Sequence, residues 1–168
     1  YENLPKDIHL IKVQSSFEMY ESLVSSLEIA KKESKKQSFL FMVAAISDYL
    51  PTFVQEGKLK KDLIGINWNL ELKQNIDILN SLDKSEIISI GFKAEMDELI
   101  AQNSAISMLE KKNLDGVCLN ILNEENSFGS ENNSIELILK NKNKSSTFKG
   151  SKLDISLEIL EKLQDEFK

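Results

Sequence analysis

Residues 39–46 read Phe-Leu-Phe-Met-Val-Ala-Ala-Ile and lead without a break into Ser47-Asp48-Tyr49-Leu50-Pro51. An unbroken apolar run that stops at a polar turn suits a strand covered on both faces, as strands of a parallel sheet are. Two other runs have the same form. Residues 86–92 open into Lys93-Ala94-Glu95, and residues 115–121 carry Asn120 near their end. Helical spacing fills the intervals. Ser15 stands three residues before Glu18, the spacing of a capping box, and Tyr20, Leu23, Val24, Leu27 and Ala30 carry an apolar stripe towards residue 36. A short helix is predicted over 76–82. A longer one over 97–112 buries Ala101, Ala105, Met108 and Leu109, and a last one over 153–167 buries Ile155, Ile159, Leu160 and Leu163. Residues 9–13 predict a short strand, and 66–72 a half-buried strand with Ile66, Trp68, Leu70 and Leu72 on one side. Residues 123–133 form a polar loop, and 135–139 a strand hairpinned through 141–145 to a partner at 146–149. Alternating strands and helices predict an α/β fold with three layers, Rossmann-like, with a mostly parallel sheet and a C-terminal β-hairpin. No linker or repeat divides it, so residues 1–168 read as one domain.

The composition removes several functions. The 168 residues include 21 basic side chains, all of them Lys, with one His, one Cys and one Trp. A Cys/His zinc site needs about four such ligands, and His9 and Cys118 are the only two present. No internal disulfide can form, so nothing requires an oxidising compartment. His9 lies at a predicted strand edge and suits no catalytic triad, and Cys118 lies inside an apolar strand, where packing explains it. Without Arg there is no bidentate clamp for phosphate. The six glycines are isolated, so neither a dinucleotide fingerprint nor a P-loop is present, which also argues against a nicotinamide dehydrogenase. A net charge of −6 speaks against a nucleic-acid partner. No apolar run approaches the ~18 residues of a membrane span, and no leader precedes Tyr1, so a cytoplasmic location is expected. A chain beginning at Tyr1 reads as a piece or a processed form of something longer.

In open α/β sheets, ligands bind beyond the carboxyl ends of the strands. Asp48, Glu95 and Asn120 follow or end the three apolar strands, and Lys58 begins the run Lys58-Leu59-Lys60-Lys61 in the loop after the first. A carboxylate, an ammonium group and amides around one crevice suit a metal-bound phosphate, since Mg²⁺ prefers oxygen ligands. Each feature also has an ordinary reading. Asp48 suits a turn, the lysine run a solvated loop, Asn75-Ile76-Asp77 a helix cap, and Phe92 the core.

Taken in order, these segments resemble a known family. Ala44-Ala45-Ile46-Ser47-Asp48-Tyr49, Lys58-Leu59-Lys60-Lys61, Asn75-Ile76-Asp77-Ile78-Leu79 and Gly91-Phe92-Lys93-Ala94-Glu95 look like successive motifs of bacterial phosphopantothenoylcysteine synthetase. Lys112-Asn113-Leu114-Asp115, Asn120, and Phe128 followed by Asn132-Asn133 continue the series. The likeness runs in register from about Ile11 to the last helix. It is to the synthetase half of the bifunctional coenzyme A biosynthesis flavoprotein.

The resemblance implies a phosphopantothenate–cysteine ligase. In bacterial members, 4′-phosphopantothenate and CTP give an acyl-cytidylate and pyrophosphate, and the amine of L-cysteine then displaces CMP. By motif, Lys58 would be the catalytic lysine. Ala44, Ala45 and Asp48 would line the nucleotide site, with Asp48 facing Mg²⁺ at the triphosphate. Ile76, Asp77, Ile78, Leu79 and Phe92 would flank base and ribose, and Lys112 would be a further nucleotide contact. The family also implies a homodimer whose sites are completed across the dimer, and a possible fusion to an upstream phosphopantothenoylcysteine decarboxylase domain holding FMN. Three departures stand out. Met108 occupies the position of a second family lysine, for which Lys111 is a candidate replacement. Ile76 replaces the usual Pro. Nothing before Ile11 resembles the family's glycine-rich, Asn- and Arg-bearing phosphate segment. The chain therefore reads as the C-terminal portion of the ligase domain, inactive alone. The alternative is a non-catalytic nucleotide-binding or dimerisation remnant of the same family.

Overall fold

A computed structural model describes residues 5–33, 36–54, 57–58, 60, 66–123, 129–142 and 145–168. The first helix, α1 (Ser16–Glu33), starts at the predicted cap. Ser15 Oγ accepts from Glu18 N at 3.1 Å, and Glu18 Oε2 reaches back to accept from Gln14 N at 2.8 Å. Three strands follow, β1 (Ser38–Met42), β2 (Tyr49–Pro51) and β3 (Leu72–Gln74), then the single turn α2 (Ile78–Ser81). The chain continues as β4 (Ile87–Glu95), α3 (Glu98–Lys111), β5 (Gly116–Ile121), β6 (Asn132–Leu139), β7 (Ser146–Ser151) and α4 (Lys152–Glu166).

The main sheet has five strands in the order β1-β4-β5-β6-β7. β1 pairs parallel with β4 and β4 with β5, while β6 and β7 run antiparallel as the expected hairpin. The sheet is thus mixed, its parallel half carrying the α/β character. Side chains alternate across it into two cores. Leu40, Met42, Ile87, Val117 and Leu119 face α1, α2 and α3, which contribute Leu27, Leu79, Ala101, Ala105 and Leu109. Ile90, Cys118, Ile135, Leu137 and Leu139 face α4, which contributes Ile155, Ile159 and Leu163. Helix, sheet and helix make the three expected layers.

Gly91 sets the spacing between two of them. A Cβ there would lie 2.8 Å from both Leu114 Cδ1 and Met108 Cε, so α3 and the turn after it seat directly on the β4 backbone. That turn explains the Lys112-Asn113-Leu114-Asp115 motif. Asn113 takes φ 46°, a left-handed conformation Asn tolerates better than most residues. Leu114 N then donates to Leu109 O at 2.9 Å and Asn113 N to Glu110 O at 3.1 Å, a Schellman stop with Leu114 fully buried. Asp115 follows and accepts from both N and Oγ of the buried Ser89, at 2.8 and 3.0 Å.

Four expectations are corrected. Residues 9–13 form no strand and lie exposed, because no described strand runs beside them. The strand expected over 39–46 leaves the sheet after Met42, and Val43, Ala44 and Ala45 are exposed. Of 66–72 only Leu72 is in a strand, and Ile66, Trp68, Leu70 and Leu72 are exposed instead of half-buried. β2 and β3 form a two-stranded ribbon of their own, and among the described residues no third layer covers an apolar face of it. Leu160 is exposed on α4, whose buried stripe is narrower than its apolar one. The loop residues 124–128, with Phe128, and Leu59 and Lys61 of the lysine run lie outside the described residues.

Candidate active site

Where β1 leaves the sheet, its exit is tied to the α2 entry. Asn75 N donates to Asp48 O at 2.8 Å and Asn75 Nδ2 to Ser47 O at 2.8 Å. Asn75 Oδ1 accepts from Ser16 Oγ at 3.0 Å, which fixes the start of α1 to the same point. Asp77 caps α2, its carboxylate accepting from Asn80 N at 3.2 Å. The ordinary reading of Asn75-Ile76-Asp77 thus holds, and these bonds frame one side of a cleft.

The cleft has a volume of about 950 Å³ and opens at the carboxyl ends of β1 and β4. It is lined by Ala44, Ala45, Asp48, Ile76, Asp77, Ile78, Leu79, Phe92 and Lys112, which are all the residues picked by motif except Lys58. Ile78 and Leu79 are almost wholly buried in its floor, whereas Asp48 is exposed. Its opposite wall is a stripe of α3 at helical spacing, Ile100, Asn103, Ser104, Ser107 and Lys111, beside the buried Ala101, Ala105 and Leu109. Asn103, Ser104 and Ser107 were missed by reading the sequence. Their signal was a polar row flanking the apolar one, which resembles any solvated helix face.

The remaining expected groups separate. Lys58 is exposed and does not line the cleft. Glu95 accepts from Met96 N and stands 3.5 Å from Lys93 Nζ, and these contacts hold its carboxyl below the ordinary range. Asn120 belongs to a second, more apolar cleft of about 590 Å³ on the α4 side of the sheet, with Phe41, Asn133, Lys152 and Ile155. The two clefts share Ala44, Ala45, Phe92, Lys93 and Ala94, so Phe92, which packs against the α4-side core as expected, also lies between them. Cys118 is fully buried, its thiol pushed up to about 12 by desolvation, which leaves it unionised and inert.

Three lysines reach the first cleft. Lys112 meets Asp77 and Lys93 meets Glu95, while Lys111 makes no hydrogen bond or ion pair among the described residues. Asp48 likewise has a carboxylate without a partner there. No cluster of three His, Cys, Asp or Glu side chains occurs among the described residues. One free carboxylate does fit Mg²⁺ that arrives with phosphate oxygens already bound.

Residues 2–167 match the family described as DNA/pantothenate metabolism flavoprotein, C-terminal domain. This chain belongs to that family. It is 32% identical over 163 residues to the coenzyme A biosynthesis bifunctional protein CoaBC of Bacillus subtilis, covering 95% of this chain and 37% of that protein. It is 31% identical over 166 residues to the CoaBC of Haemophilus influenzae, covering 97% of this chain and 38% of that protein. The fold is shared with a crystal structure of the C-terminal domain of CoaBC, with a TM-score of 0.67 at 21% identity over 98% of this chain and 68% of that one. The chain spans well under half the length of these curated relatives. Among the described residues, no helix is long and apolar enough to cross a membrane.

Proposed function

We propose that this chain is the nucleotide-binding part of a CTP-dependent phosphopantothenate–cysteine ligase acting in coenzyme A biosynthesis. The observation that carries the reading is the gathering of Ala44, Ala45, Asp48, residues 76–79, Phe92 and Lys112 into one cleft. Small side chains at Ala44 and Ala45 leave room for a sugar-phosphate. The apolar floor of Ile78 and Leu79 with the Phe92 ring suits a pyrimidine base. Asp48 would hold Mg²⁺ together with the triphosphate, the ion neutralising charge as pyrophosphate leaves.

In the first step a carboxylate oxygen of 4′-phosphopantothenate attacks the α-phosphorus of CTP, and the bond to pyrophosphate breaks. In the second, the L-cysteine amine attacks the acyl carbon, and the carbon–oxygen bond to CMP breaks as the amine loses its proton. Most of the protein's work is alignment and charge neutralisation. Lys58 serves as a fixed ammonium group beside the phosphate and acyl-nucleotide. Because Lys58 lies outside the cleft of its own chain, the reading places it in the cleft of a second copy. On this reading two copies meet over the exposed apolar side chains of the β2–β3 ribbon, Tyr49 and Leu72, and of the segment between its strands, Phe53 and Trp68. FMN belongs, on this reading, to a fused upstream decarboxylase domain and not to this chain.

The test is a thermal melt of the chain with millimolar nucleotide and Mg²⁺. CTP raises the midpoint, ATP raises it less, and removing Mg²⁺ with a chelator reduces the CTP effect. A midpoint indifferent to CTP and Mg²⁺ sinks the reading.

A further inference from the structure

Resting on the nucleotide reading, we infer that Asn75 is a positioning residue of the cleft, its side-chain amide holding the turn that presents the Asp48 carboxylate. Residues 43–48 cross from β1 towards β2 outside any strand, and Val43, Ala44, Ala45, Ser47 and Asp48 are exposed. Ile46 packs on the core beneath them, but the backbone at Ser47 and Asp48 is placed by hydrogen bonds. The Asp48 carboxylate has no hydrogen bond or ion pair of its own among the described residues, so its direction follows from that backbone. A carboxylate presented by an ordered turn gives up less freedom when it takes a cation than one on a loose turn.

Asn75 holds the turn twice, through N to Asp48 O and through Nδ2 to Ser47 O, both at 2.8 Å. Any residue except Pro could supply the first bond. The second needs the amide. At the amide's other end, Oδ1 accepts from Ile76 N at 2.8 Å and from Ser16 Oγ at 3.0 Å. A backbone N–H at that end fixes it as the oxygen, which leaves the nitrogen facing Ser47 O. Asp in this place would set an oxygen against the carbonyl, and Ala would leave all three side-chain bonds unmade. Helix α2 does not need the amide, because Asp77 caps it two residues later. Nor is Ser16 spent on capping α1, since Ser15 accepts from Glu18 N. Both side chains are committed to one junction, where α1 starts, α2 enters and the turn after β1 borders the cleft.

The experiment titrates the unaltered chain, Asn75→Ala, Asp48→Asn and the double variant with Mg²⁺-CTP, and with CMP in the presence of a chelator. Asn75→Ala weakens Mg²⁺-CTP binding on the order of tenfold, as the loss of several ordinary hydrogen bonds allows, and CMP binding is retained. The double variant binds Mg²⁺-CTP no more weakly than Asp48→Asn does, because Asn75 acts through Asp48. Ser16→Ala, which removes one bond of the junction and leaves the α1 cap in place, gives a smaller loss of the same kind. Ser16→Thr keeps the hydroxyl and binds as the unaltered chain does. A role confined to stability predicts that CMP binding falls equally and that the two losses multiply, and either result overturns the inference. Unchanged Mg²⁺-CTP affinity in Asn75→Ala overturns it too. Should Asn75→Ala not fold, the Ser16 pair decides, and equal Mg²⁺-CTP affinity in Ser16→Ala and Ser16→Thr overturns the inference. Failure of the unaltered chain to bind Mg²⁺-CTP is a different result and overturns the nucleotide reading with it.

Discussion

The ammonium nitrogen of Lys112 lies 3.0 Å from each carboxylate oxygen of Asp77, joining the stop of α3 to the cap of α2. Both side chains are partly exposed, and a pair of this kind contributes only about 0–1 kcal/mol. Its value is positional, since it joins the two helices that form opposite sides of the cleft. Asp77→Asn separates the roles, because Asn caps a helix about as well as Asp but offers no charge. The variant is expected to keep its stability within about 1 kcal/mol by urea unfolding. It is also expected to bind CTP more tightly, because Lys112 is then free for phosphate.

Gly91 offers a sharper test of packing. Adding a methyl group places it against Leu114 and the tip of Met108. Overpacking of this kind costs about 1–3 kcal/mol, and Met108 can yield, so Gly91→Ala should fall at the lower end by urea unfolding. The same variant should lose more nucleotide affinity than stability alone explains, because α3 carries the polar wall of the cleft.

Asn113 holds its φ of 46° at a turn where most side chains are strained. Asn113→Gly is expected to be neutral or slightly stabilising, and Asn113→Val to cost about 1–2 kcal/mol. Equal melting temperatures for the two variants would contradict the role given to this turn.

The proposed sharing of Lys58 between two copies can be tested by complementation. In a chain extended upstream as its relatives are, Lys58→Gln and Asp48→Asn should each abolish product formation while leaving the fold intact. Refolded together, half of the dimers are mixed, and each has one intact site, so about a quarter of the activity returns. No recovery would mean that Lys58 does not act across the dimer.

Glu166 is clamped between Lys142 of the hairpin turn and Lys162 of its own helix, at 2.7 and 2.8 Å. Hydrogen bonds from these two lysines lower its carboxyl from 4.5 to about 2. The depressed value means that the contribution is complete above the unfolded value and is lost as pH falls through the folded one. Glu166→Gln should therefore be less stable than the parent at neutral pH, by a small and salt-sensitive amount. The difference should close as the pH drops from about 4.5 towards 2.

Much of the fold was legible because its signals are local. The capping box at Ser15, the apolar stripes of α3 and α4 and the hairpin at β6–β7 each follow from spacing within a few residues. The misreadings share one cause. Residues 9–13 and 66–72 alternate or bunch apolar side chains as strands do, yet burial depends on what stands opposite, and sequence spacing carries no record of that. The cleft was legible only as a set of motifs. That Lys112 is held by Asp77, while Lys111 has no such partner among the described residues, depends on the turn at Asn113, which rotates the last lysine away from the helical stripe.

The β2–β3 ribbon has a consequence for how the molecule behaves in dilution. Phe53 and Val54, just past β2, are 72% and 88% exposed, and apolar surface left in water there is unfavourable unless something covers it. Where a second copy supplies both that cover and Lys58, assembly and site completion become one equilibrium. Protein concentration then acts on the reaction as a ligand would. Thinning the solution would empty the site of its lysine before it unfolded a single helix.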